Sequence, residues 1–139
     1  VILPITDPYV VHHGALGSYA TVYVNADHVQ QAAHCLAAVD GIEAVHTRQE
    51  AAARFQLPAD RIGDLVVLGD RETVLGRTPD WHDLSDVSEG LRSHGGLHEA
   101  TVPFIINRPL LPEVATALTT GQLHNYDLFH VLCNGIEDG

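Results

Sequence analysis

Ten histidines stand in 139 residues, and imidazole is both the commonest metal ligand and the side chain that titrates near neutrality. The most informative segment is Ser93-His94-Gly95-Gly96-Leu97-His98-Glu99. A His followed by two glycines sits on backbone that bends tightly and lets another group come close. Such a loop can present the imidazole of His94 to a metal ion; the alternative is a surface His in a flexible turn. His94 and His98 are four apart, the spacing that puts two zinc ligands on one helix face. Gly95-Gly96 argue against a helix between them, and the paired-ligand reading weakens accordingly. His12 and His13 are adjacent, so in a strand they face opposite ways and one of them at most serves a given site. Asp7-Pro8 offers a nearby carboxylate but also has the form of a turn. Asp80, Asp83 and Asp86, around Trp81-His82, either draw a cation or form a solvated loop. His28, His34, His46, His82, His124 and His130 show no partner spacing, and Cys35 reads as a small core residue. His94 alone cannot hold zinc, which takes three or four protein ligands.

The elements that would position these residues follow from periodicity. Residues 1–5 (Val-Ile-Leu-Pro-Ile) read as a buried strand and 10–17 as a loop. Residues 19–25 alternate aromatic and β-branched types, a strand signal. Asp27 is a candidate N-cap for a helix over 28–39, ended by Asp40-Gly41. A strand at 42–47, a helix at 48–55, a buried strand at 64–69 and a hairpin return over 72–75 follow. Strand, helix, strand, helix, strand, strand make an α+β unit of about sixty residues. Residues 79–98 read as a long irregular loop, a type usually functional or mobile. A strand at 102–107 then precedes a helix opened by Pro112 and broken by Gly121. Asn125 is a candidate cap for a last helix over 126–134, whose Leu128, Phe129, Leu132 and Cys133 form an apolar stripe closed by Gly135.

Composition narrows the function. Hydrophobic residues make up 45% of the chain and charged residues 18%, which excludes wholesale disorder. The net charge is −11 and all basic residues are arginine, so no basic face exists for nucleic acid. The absence of lysine also excludes a phosphate-cradling loop of the Gly-rich lysine type. There is no Gly-x-Ser-x-Gly elbow and no Cys-x-x-Cys pair. No apolar run spans a membrane. Two cysteines form no disulfide framework and point to a reducing, cytoplasmic setting. The chain contains no methionine and opens inside an apolar run, so the expectation is the C-terminal part of a longer chain.

The segments 92–99 and 102–109 (Val-Pro-Phe-Ile-Ile-Asn-Arg-Pro) together resemble the C-terminal metal-ligand segment of the phosphonoacetate hydrolases, in the alkaline phosphatase superfamily. So do Asp64-Leu65-Val66-Val67-Leu68-Gly69-Asp70, Ile5-Thr6-Asp7-Pro8 and His12-His13-Gly14-Ala15-Leu16-Gly17. The resemblance covers essentially the whole chain. It implies an enzyme with two Zn2+ ions per complete active site that cleaves the carbon–phosphorus bond of phosphonoacetate, giving acetate and phosphate. It places the last zinc ligand on His94, and the nucleophilic Thr, the other ligands and the substrate-binding lysines upstream of Val1. It also implies a fold: an α/β core fragment, alkaline phosphatase-like, with an inserted small α+β cap domain. On that reading residues 1–18 end a core segment and enter the cap, 19–78 are the cap, and 79–139 are the C-terminal segment of the metal-binding core.

The implied partners are a small phosphonate, the remaining N-terminal part of the same protein, and a second copy in a homodimer. Neither nucleic acid nor membrane is among them, and the isolated chain is expected to be inactive. Two further readings compete: another phosphodiesterase or phosphatase of the superfamily using the same His94, and a metal-free α+β binding module in which His94 is a loop residue. Arg48, Arg54, Arg61, Arg71 and Arg77 all suit a substrate carboxylate, and nothing in the sequence separates them.

Overall fold

The protein is described by a computed structural model covering residues 17–76, 78, 94–121 and 123–137. The expected strand at 1–5, His12, His13, Asp7 and the acidic stretch around Trp81 lie outside the described residues. The chain divides into two units, Val1–Val102 and Pro103–Gly139.

The first unit is organised by one apolar strand. Three strands, β1 (Tyr19–Val22), β2 (Ile42–Thr47) and β3 (Leu65–Gly69), form a sheet in the order β1-β3-β2, with both pairings antiparallel. All five residues of β3 are buried, because helices cover both faces of the sheet. Side chains alternate along a strand, and β3 obeys this on each side. Val66 and Leu68 pack with Ala51, Ile62, Phe55 and Leu57, the side of helix α2 (Arg48–Phe55). Leu65 and Val67 pack with Val29, Ala32, Ala33 and Leu36, the side of helix α1 (Val29–Ala37). A β-bulge between Ile42 and Ala44 breaks the β2–β3 register and leaves Glu43 exposed on the sheet edge.

Local chemistry explains the boundaries. Thr47 opens α2 with a reciprocal cap: its Oγ1 accepts from the Glu50 N–H at 3.4 Å, and Glu50 Oε2 accepts from the Thr47 N–H at 2.8 Å. Replacing Thr47 with alanine is expected to cost about 1 kcal/mol, read by urea unfolding of the chain. The bonds from Thr47, backbone first and hydroxyl second, hold the Glu50 carboxyl below its ordinary value. A carboxylate lowered in the folded state stabilises above its unfolded pKa and loses that contribution as pH falls through the folded one. The cost of Thr47→Ala is therefore expected to shrink on acidification, and a cost that grows would contradict the cap. Arg48 pairs with Asp64 (Nη2 to Oδ1, 2.7 Å), whose other oxygen accepts from the Val24 N–H at 3.0 Å. This ties the start of α2 to the entrance of β3 and the exit of β1.

Several expectations change. Asp27 does not cap α1: a short 3-10 turn, Ala26–His28, precedes it, and its N-cap is His28 with no side-chain bond. The turn after β3 forms, with Asp70 Oδ1 accepting from the Glu72 N–H at 2.9 Å, but no return strand follows. Leu75 instead bridges Gly17, its N–H donating to the Gly17 carbonyl at 2.8 Å, so the outer edge partner comes from the start of the unit rather than from a hairpin. Cys35 is exposed, not in the core.

In the second unit, Pro112 takes the first turn of helix α3 (Pro112–Thr120), as proline's missing N–H allows. Helix α4 (Asp127–Asn134) follows, and Val131 is buried. Leu110 and Ile136 form a bridge that closes the unit at its ends. Asn125 is not the cap of α4; Tyr126 holds that position, and Asp127 Oδ2 accepts from the His124 N–H at 2.7 Å. The expected strand at 102–107 is absent, since that stretch has no strand neighbour among the described residues and Pro103 lacks a donor. The apolar stripe of α4 faces outward, with Phe129 70% and Leu132 54% exposed.

Candidate metal-ligand site

The site is assembled around His94, in the first unit. Residues 94–96 form a bend, and Gly95 takes φ +79°, a backbone that side chains rarely adopt. A 3-10 turn, Leu97–Glu99, follows. Three attachments hold this strap. Leu97 packs against the cluster of Val66 and Leu68. The Glu99 carboxylate accepts from the Gly96 N–H at 3.0 Å. The His98 ring meets Glu43 at the bulge of β2, Nε2 to Oε2 at 2.7 Å.

The near end of the strap joins the start of the sheet. The Ser18 N–H donates to the His94 carbonyl at 2.9 Å, and the Gly69 N–H donates to the Ser18 carbonyl at the same distance. Ser18 is buried, and its hydroxyl donates to the Thr73 carbonyl at 2.7 Å. Residues 17 and 18 thus link the His94 backbone to the end of β3. The imidazole lies over Gly17: a Cβ there would meet His94 Cε1 at 2.6 Å and Nδ1 at 2.8 Å.

The unsatisfied chemistry of this arrangement is one nitrogen. His94 Nε2 is buried with no hydrogen-bond partner among the described residues. A buried polar atom left unpaired costs about 1–3 kcal/mol, a cost that a bound ligand would remove. An imidazole nitrogen is a zinc donor at about 2.0–2.1 Å, and the residues present fit that role for a single ligand. Among the described residues no group of three or more His, Cys, Asp and Glu could hold a metal.

The other expected candidates divide clearly. His98 is occupied by Glu43 and does not join His94, because the glycine bend and the 3-10 turn replace the helix that their spacing would need. His46 lies 3.1 Å from Arg54 Nη1 and edge-on to Phe55. His124 stacks on Tyr126, and His130 contacts Asn134 on α4. His28 and His34 are exposed. Arg48 is committed to Asp64, and Arg54 lies over the Phe55 ring. Arg77, His82 and the acidic residues around Trp81 fall outside the described residues. Sequence reasoning missed Gly17 and Glu43 as neighbours of the strap. Gly17 stands in the His12–Gly17 motif, where only its type was visible; Glu43 lies 55 residues from His98, and no local pattern joins them.

No protein-family model matches the chain. Solved structures do. A crystal structure of phosphonoacetate hydrolase from Sinorhizobium meliloti 1021 in complex with phosphonoacetate is 51% identical, with a TM-score of 0.58. It covers 70% of this chain, and the match covers 24% of that chain. A structure of the same enzyme in complex with phosphonoformate is 52% identical over 69% of this chain and 24% of that one, with a TM-score of 0.57. The present chain thus spans about a quarter of the length of the enzyme it matches.

Proposed function

The chain belongs to the phosphonoacetate hydrolase family, and from that premise we propose that it is the C-terminal part of a zinc-dependent enzyme that hydrolyses phosphonoacetate to acetate and phosphate. The observation that carries the zinc role is the buried Nε2 of His94, which has no hydrogen-bond partner among the described residues. The identity to an enzyme crystallised with phosphonoacetate carries the substrate.

In this reading the sheet with α1 and α2 is a cap on an alkaline phosphatase-like α/β core, and His94 closes the metal site from the strap beyond it. Bound there, zinc supplies Lewis-acid stabilisation of the charge on the transferring phosphoryl group. The chain's own residues supply placement. Ser18 fixes the His94 main chain, while Leu97 and the His98–Glu43 pair hold the far end of the strap. Preorganised donors cost no rearrangement at the moment of reaction, which is why rigid attachment of a ligand loop matters. A cap excludes water and selects a small anion. The exposed thiols of Cys35 and Cys133 suit a reducing, cytoplasmic compartment.

The test uses the complete protein loaded with zinc. Phosphorus and proton NMR should show phosphonoacetate replaced by phosphate and acetate in equal amounts. Unchanged phosphonoacetate beside a folded, zinc-loaded protein would discard the substrate. The 139-residue chain alone is expected to show no turnover, since His94 is one donor where zinc takes three or four. Turnover by that chain without a partner polypeptide would contradict the assignment of the remaining machinery to another part of the protein.

A further inference from the structure

We propose that Gly17 is a positioning residue for His94: its bare Cα is the seat on which the imidazole lies, and it thereby sets the direction of Nε2. The inference rests on the reading of His94 as a zinc ligand and concerns how that ligand is aimed.

Two observations meet at this contact. First, the space a side chain would need at Gly17 is filled by His94 itself. A Cβ would lie 2.6 Å from Cε1, 2.8 Å from Nδ1 and 3.0 Å from the His94 carbonyl oxygen. Contacts under about 3 Å cannot stand, so one partner must move. Second, both backbones are tied by hydrogen bonds. The His94 carbonyl is held by the Ser18 N–H, the Gly17 carbonyl accepts from the Leu75 N–H at 2.8 Å, and the Ser18 carbonyl accepts from the Gly69 N–H. The contact with the carbonyl oxygen asks for a shift of a few tenths of an ångström; the larger overlap is with the ring, which yields by rotation about its own side-chain bonds.

The ring edge against Gly17 carries Cε1 and Nδ1, while the buried, unpartnered nitrogen is Nε2. Rotating the ring off Gly17 therefore swings Nε2 away from its present direction. Metal sites are sensitive to such outer contacts: residues that orient a ligand typically cost 10–100-fold in affinity or activity when changed.

The experiment compares the complete wild-type protein with Gly17→Ala and His94→Ala. Zinc affinity is read by competition with a chelating dye, the His94 ring by long-range proton–nitrogen NMR of histidine-labelled, zinc-free protein, and folding by circular dichroism. Gly17→Ala is expected to stay folded, to bind zinc about 10–100-fold more weakly, and to shift the His94 ring resonances before zinc is added. A folded variant with wild-type affinity and unmoved ring resonances overturns the proposal. Should Gly17→Ala fail to fold, the wild-type protein decides. A nuclear Overhauser contact between His94 Hε1 and the Gly17 α-protons supports the seat, and its absence overturns it. Equal zinc affinity in wild type and His94→Ala overturns the ligand reading instead, and with it the aim assigned to Gly17.

Discussion

On the proposed function, zinc-dependent release of phosphate from phosphonoacetate by the complete protein is expected to fall at least about 100-fold in His94→Ala. Changing a residue that merely orients a metal ligand costs about 10–100-fold, and removing the ligand itself should exceed that range. A 100-fold loss corresponds to about 2.7 kcal/mol of lost transition-state stabilisation. The fold should survive the change. The imidazole lies over Gly17, while the strap is held by the His94 carbonyl, Leu97 and His98, all of which alanine leaves in place. Relieving a buried nitrogen that has no partner among the described residues also removes a cost from the metal-free protein. The expected signature is therefore a variant at least as stable as wild type without zinc, yet nearly inactive with it. A variant that loses activity only because it unfolds would not support the ligand role.

Leu65→Ala is expected to destabilise the chain by about 2–5 kcal/mol, the range for removing a buried leucine side chain. Leu65 is fully buried at the start of β3, pairs with Val22 of β1 and Thr47 of β2, and packs toward α1. Because β3 is the central strand, a cavity there is bordered by both neighbouring strands and by α1, and none of them can collapse into it without moving the others. Against a typical domain stability of about 5–15 kcal/mol the loss is severe. Urea unfolding of the chain reads it as a lower midpoint with an unchanged slope. A cost under about 1 kcal/mol would contradict the central place of β3 in the core.

The parts of the fold that were legible in the sequence are those with strong local signals. The β-branched and aromatic run of β1 and the apolar run of β3 each declare themselves within a few residues. So does Pro112 at the opening of α3. The readings that changed depended on partners distant in sequence. Glu72–Leu75 had the composition of a return strand, but Leu75 found Gly17 first. The stretch 102–107 had strand-forming residues and no neighbour among the described residues to pair with. Asp27 and Asn125 had the right chemistry for caps, yet the backbone tightened into turns before α1 and α4 began. The apolar stripe of α4 was legible, and its exposure was not. A stripe on a helix says that one face is apolar, and not what lies against it.

The site shows the same division. His94 stood out because the two glycines after it announce a bend, and Gly95 does take a positive φ. His98 stood out by spacing, and the structure gives it to Glu43 across the sheet edge. The contact of the imidazole with Gly17 joins residues 77 positions apart in sequence, and a glycine carries no side-chain pattern that could have disclosed it.

The proposed role of His94 turns on one bond, between zinc and its Nε2. Anomalous scattering at the zinc edge from crystals of the complete, zinc-loaded protein tests it directly. The predicted result is a zinc peak about 2.0–2.1 Å from His94 Nε2, with the remaining ligands supplied from outside the residues described here. Zinc bound elsewhere, with Nε2 of His94 free of metal, would contradict it.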